Sequence, residues 1–220
     1  MPLNTERAPA DVSLPQGRLA YLANKRKATR AALLNAAREV FARSGYVHAK
    51  IDDIILTASV SRATFYAHFE SKLELAYAIY NDIAPQTNAL FDALPNAARG
   101  GLCSVVAWLR LFTDLHVEHR YVTPLLAQLQ LFEPAFRARV LRDADEIITR
   151  LGVLDAKEVP TDPDLLGQWI EARLVLNQAA AVCAQIARGE LPSNQAEITL
   201  AVTGRNLLRF FETARDHRPQ

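Results

Sequence analysis

The sequence predicts an all-α protein: a compact N-terminal head of three helices, ending near Lys72, and a larger helical body after it. Three observations predict this. Apolar residues recur at three- and four-residue steps almost everywhere beyond about Asn24, and no segment sustains the strict alternation of a strand. Two short helical stretches flank a tight break within the first third of the chain. Proline and glycine punctuate the longer periodic stretches that follow.

Taken in order, residues 1–24 contain Pro2, Pro9 and Pro15 and no sustained apolar face, so they read as a flexible arm. Leu33, Ala36, Ala37, Val40 and Phe41 mark the buried face of a first helix, and Gly45 supplies its stop. A short helix is expected over Ile51–Ala58, a break at Ser59-Val60-Ser61, and a second short helix over Arg62–Phe69. A longer helix begins after Ser71-Lys72. Beyond Pro85 the breaks are expected at Pro95, Gly100-Gly101, Pro124, Pro134, Gly152, Pro160, Pro163, Gly189 and Pro192. The domain plan is therefore an arm (1–24), a head (25–72) and a body (73–220), whose last two helices run over 164–188 and 194–215.

Half of the 220 residues are apolar and 22% are charged, so a substantial core is available. No apolar run approaches the roughly 20 residues of a membrane helix, and the N-terminus lacks the layout of a signal peptide. A cytoplasmic protein without a membrane partner is expected. Cys103 and Cys183 match no metal or disulfide spacing and read as small buried hydrophobes. The net charge of +1 hides an asymmetry: Met1–Lys72 carries eleven Lys/Arg against six Asp/Glu, whereas the remainder carries fourteen against eighteen. Only the front third is suited to meet a polyanion.

The paired short helices say how. Ile54 and Ile55 anchor the first, Val60 plugs the turn, and the Ser61 hydroxyl is placed to cap the second. Phe65 and Phe69, four apart, face inward. Arg62, Ala63, Thr64, Tyr66 and His68 are left for the outward faces. A helix with that front suits the DNA major groove, where phosphates flank the helix and base edges lie on the floor. Lys25, Arg26, Lys27 and Arg30 on one side and Lys72 on the other are within reach of phosphates.

These residues resemble the TetR family of helix-turn-helix regulators. Its Phe-x-x-x-Gly-Tyr/Phe ending of the first helix appears as Phe41-Ala42-Arg43-Ser44-Gly45-Tyr46. Its recognition run appears as Val60-Ser61-Arg62-Ala63-Thr64-Phe65-Tyr66-Ala67-His68-Phe69-Glu70-Ser71-Lys72. The resemblance covers about a quarter of the chain, over 30–80. It implies phosphate contacts for Tyr66, His68 and Lys72, and base-edge positions for Arg62, Ala63 and Thr64, with Arg62 the reader of a guanine. Three positions depart from the pattern. Lys50 stands where the family usually has a capping Thr, trading the cap for a cation that meets the backbone. Ser59 stands where Gly is usual, so a left-handed turn there carries a steric cost. Ala67 replaces a frequent aromatic.

A two-fold dimer follows from DNA reading, because it places two recognition helices one helical turn apart on a palindromic operator. The resemblance points to the last two helices as the dimer contact. Ala179, Ala180, Ala181, Ala184, Leu200, Leu207, Leu208, Phe210 and Phe211 supply the apolar surface for it, with burial inside one chain as the alternative. A small-molecule effector site is expected among Trp108, Phe112, His116, Phe132, Phe136, Trp169 and Arg173, an apolar set with a few polar groups. Arg173 needs a partner, either an anionic ligand or an internal Asp or Glu. His116, Glu118 and His119 are too few for a metal centre, and no cofactor or catalytic motif stands out. The expectation is thus a repressor released by an effector. The alternatives are a helical protein-binding adaptor and a helical enzyme with no DNA role.

Overall fold

The computed structural model of the chain describes residues 16–154, 156 and 158–216. The described residues form nine α-helices and no strand. They are α1 (Gln16–His48), α2 (Ile51–Ala58), α3 (Arg62–Tyr66), α4 (Lys72–Arg99), α5 (Leu102–Glu118), α6 (Val122–Phe132), α7 (Pro134–Leu151), α8 (Pro163–Ala187) and α9 (Ser193–Asp216).

Two expectations about boundaries are corrected. The part of the expected arm over 16–24 is the first stretch of α1, exposed from Gly17 onward, while Met1–Pro15 lies outside the described residues. Pro95 does not break α4, although it cannot donate an amide to the helix. Phe91, Leu94 and Ala98 around it are buried, and that packing outweighs one lost backbone bond. Gly45 does interrupt α1, taking φ 71° and ψ 163°. Pro134 and Pro163 occupy first-turn positions of α7 and α8, where a missing amide hydrogen costs nothing.

The side chains pack into two cores. One joins α1–α3 and the first half of α4 to α6 and Phe136 of α7. The other joins the second half of α4 to α5, α8, α9 and the end of α7. The head is therefore not sealed by its own helices: Val122, Leu125, Leu129 and Phe136 complete its interior. On the other side Gly204 lets α9 lie close to α5, since a Cβ there would come within 3.0 Å of Val106 Cγ2 and 3.3 Å of Leu102 Cδ1.

Candidate nucleic-acid interface

The α2–turn–α3 unit is held by the residues expected to hold it. Ile54 and Phe65 are fully buried, and Phe69 packs on Phe65 with ring centroids 6.2 Å apart. Ser59 adopts φ 53°, ψ 42°, the left-handed turn conformation, and is the one non-glycine residue with positive φ among those described. Its amide and that of Val60 close the end of α2 on Leu56 and Ile55 carbonyls. The Ser61 hydroxyl accepts the Thr64 amide at 3.0 Å, the expected N-cap of α3. Lys50 makes no side-chain cap at α2, whose first turn is instead supported by Asp52 and Asp53 acting on the helix dipole. α3 is shorter than expected, ending at Tyr66, with Ala67 closing it.

This geometry leaves Ser61, Arg62, Ala63 and Tyr66 exposed and Thr64 half-buried, along the outer side of α3. Arg62 is paired with Asp52 of α2 at 3.0 Å, and both side chains are well exposed, so the pair is weakly held and free to exchange. Lys25, Arg26 and Lys27 are exposed on α1, and Lys50 is exposed before α2. Arg30 stacks on the Phe69 ring at 4.3 Å and donates to the His68 carbonyl at 3.4 Å. His68 has its pKa lowered by burial, with Arg26 and Arg30 adding to the shift. The cations of α1 and the far end of α3 thus belong to one electropositive face.

Lys72 is the exception among these residues. Its Nζ donates to the carbonyls of Tyr46 (2.7 Å), Ala49 (2.9 Å) and Val47 (3.3 Å) and lies 4.5 Å from the Tyr46 ring centre. The ammonium has three donors, and three carbonyls at the α1–α2 corner take them. Burial lowers its pKa. Lys72 was expected at a phosphate; in the chain without DNA its ammonium is an internal tie. The signal was available only as the Gly45 stop, which leaves carbonyls at that corner without helical partners.

The same corner is held from the body. Tyr46 Oη donates to Glu133 Oε1 at 2.8 Å, and Gln128 Oε1 accepts the Val47 amide at 3.2 Å. Gln128 presses so closely on Gly45 that a Cβ there would meet its amide nitrogen at 2.8 Å. These α6–α7 contacts were missed by sequence reasoning, which treated the head as self-contained.

The expected ligand set divides. A cavity of about 250 Å³ lies at the seam of the two cores, lined by α4, α5, α6 and α7. Of the seven expected residues only Phe112 and His116 line it. Trp108 is packed against Phe91 and Phe112 and donates to the Leu90 carbonyl at 2.8 Å. Trp169 is buried and donates to Asp145 at 3.2 Å. Phe136 sits in the head-side core between Tyr77 and Tyr80, and Phe132 is exposed. Arg173 pairs with Asp145, so the internal-acid alternative holds. The cavity instead draws on Tyr80, Ile83, Asn88, Thr123, Asp143 and Ile147, among others. The two rings considered for a metal have other neighbours: His116 Nδ1 lies 3.2 Å from Thr123 Oγ1, and His119 Nε2 lies 2.5 Å from Gln86 Oε1.

The apolar excess assigned to the last two helices is largely internal. Ala179, Ala184, Leu200, Leu207, Phe210 and Phe211 are buried within one chain. The exposed apolar residues of α8 and α9 are Ile170, Leu174, Ala181, Ile198 and Val202. Cys183 is buried as expected, its pKa pushed up to about 11 by that burial, but Cys103 is exposed. Among the described residues no helix is long and apolar enough to cross a membrane.

Comparison with known proteins agrees with this geometry. Residues 33–79 match the family described as bacterial regulatory proteins, tetR family. The HTH-type transcriptional regulator TcmR of Streptomyces glaucescens is 29% identical over 158 residues, covering 67% of this chain and 69% of that protein. A putative TetR-family transcriptional regulator from Mesorhizobium loti MAFF303099 shares the fold at TM-score 0.57 and 14% identity, over 84% of this chain and 96% of its own. A TetR-like transcriptional regulator from Rhodococcus sp. RHA1 does so at 0.54 and 23%, over 80% and 93%.

Proposed function

The chain belongs to the TetR family of helix-turn-helix, DNA-binding transcriptional regulators, and from that premise we propose that it is a homodimeric cytoplasmic repressor of a palindromic operator, released by a small-molecule effector. The observation that carries the reading is the outer side of α3. Arg62, Ala63, Thr64 and Tyr66 stand on an apolar back of Phe65 and Phe69, beside the exposed Lys25, Arg26 and Lys27 of α1. In this reading Arg62 leaves Asp52 for a guanine edge, and Tyr66, His68, Lys50 and the α1 cations position the head on phosphates.

The dimer face is formed by Ile170 and Leu174 of α8 with Ile198 and Val202 of α9, which no neighbouring helix among the described residues covers. Pairing through this face holds two heads about 34–36 Å apart. Release requires the effector to prefer a differently spaced dimer by a few kcal/mol. The cavity at the seam supports such coupling, because Ile83 and Val122 belong to the head-side core and Phe112 to the other.

The test is a mobility shift on the DNA flanking the chain's own coding region. Arg62→Ala and Tyr66→Phe weaken binding, which also falls steeply with salt. Unchanged binding by an Arg62→Ala/Tyr66→Ala double variant overturns the assignment of α3.

A further inference from the structure

The cavity at the seam of the two cores also says what kind of molecule it takes. Ile83, Ala84, Phe112, Leu115, Val122, Leu126 and Ile147 make most of its wall apolar. Its charged lining groups all stand on α7. Asp143 and Arg139 neutralise one another, with Arg139 Nε donating at 2.8 and 3.0 Å to the two carboxylate oxygens. Tyr80 Oη donates to the same carboxylate at 2.8 Å. Glu146 is exposed to solvent and stands at the open side of the lining. On α4, α5 and α6 the polar lining groups include no carboxylate, ammonium or guanidinium. Asn88 of α4 is half-buried in the lining, and no hydrogen bond reaches its carboxamide among the described residues. His116 of α5 lines the wall beside Thr123, and its Nε2 is buried without a partner.

We infer that this cavity binds an uncharged, mainly apolar compound of one or two rings, whose hydroxyl or carbonyl oxygen bonds the Asn88 carboxamide. The inference rests on the effector reading and gives it a chemical class. A volume of about 250 Å³ is at the small end for ligand sites, usually about 300–1,000 Å³, hence the modest ring count. A ligand carboxylate placed inside would lose its water and meet only Arg139, already held by Asp143; a ligand amine would meet Asp143, already held by Arg139 and Tyr80, and Glu146, which stays open to solvent. An oxygen of a neutral ligand meets a free amide and stays satisfied. Burial lowers the His116 pKa and keeps the ring neutral, which adds no charge to attract an anion.

A matched series tests this on the full-length protein. Tyrosol, tyramine and 4-hydroxyphenylacetate share one phenol ring and a short chain and differ in terminal charge. Titration calorimetry is expected to show tyrosol binding at least about tenfold tighter than either charged analogue. Asn88→Leu weakens tyrosol about tenfold, while ethylbenzene still binds the variant and shows that the cavity persists. Equal or tighter binding of tyramine or 4-hydroxyphenylacetate overturns the inference, as does tyrosol binding unaffected by Asn88→Leu, or no binding by any of the three. Mobility shifts in the presence of tyrosol separate this from the effector reading. Binding without release of the operator keeps the ligand class and defeats the effector role. Release by a charged compound alone does the reverse.

Discussion

Tyr46, just past the Gly45 break in α1, donates its hydroxyl to Glu133 at the α6–α7 corner, 2.8 Å away. It is a direct hydrogen bond between the head and the body. Tyr46→Phe removes the donor and is expected to cost about 1 kcal/mol. Glu133→Gln keeps an acceptor and costs less. Urea denaturation of the three proteins checks the order, and equal loss in both variants would count against the bond.

Lys72 is expected to behave as a structural residue in DNA-binding assays. Lys72→Met strands the carbonyls of Tyr46, Val47 and Ala49 and costs about 2–3 kcal/mol, lowering Tm by roughly 5–10 °C. The salt slope of operator binding by the folded fraction stays as in the parent. Lys27→Ala shows the opposite pattern, with unchanged Tm and a slope reduced by about one.

Ser59 holds a left-handed turn without the freedom of glycine. Ser59→Gly relieves a cost of about 1–2 kcal/mol but gains backbone entropy in the unfolded chain. The net expectation is a stabilisation of about 0.5–1 kcal/mol, visible as a Tm higher by a few degrees. Ser59→Val moves Tm the other way.

Leu174 lies on the exposed α8 face with 64% of its surface accessible. Leu174→Lys is expected to turn a dimer into monomers by analytical ultracentrifugation, with little change in helicity. Operator affinity then falls with the loss of the second half-site. A variant that remains dimeric would move the interface elsewhere.

His116 ties stability to pH. Burial, then Arg188 and His119, hold its folded pKa below the ordinary 6.5. Above 6.5 the ring is neutral in both states and contributes no slope. As pH falls through 6.5 the unfolded chain takes up the proton first, so stability is lost towards the lower folded value. His116→Asn is expected to lose less Tm than the parent between about pH 7 and pH 5.5. His68 is shared by both proteins, so its contribution cancels in the comparison.

Local chemistry made the head legible. The Phe65–Phe69 spacing, the Ser61 cap and the Gly45 stop act within a few residues of themselves, so one-dimensional pattern carries them, down to the α2 boundaries. By itself the sequence determined the helical class, the turn between α2 and α3, and the outward row Arg62, Ala63, Thr64 and Tyr66. Only the tertiary structure decided which apolar side chains meet. It placed Trp108, Trp169 and Phe136 in the cores rather than the cavity, absorbed Phe210 and Phe211, and turned Lys72 inward. The physical reason is that helical periodicity tells which face of a helix is apolar but not what covers it. Coverage depends on crossings such as the approach of α9 to α5 at Gly204, and on partners as distant as Glu133 from Tyr46, which no local pattern encodes.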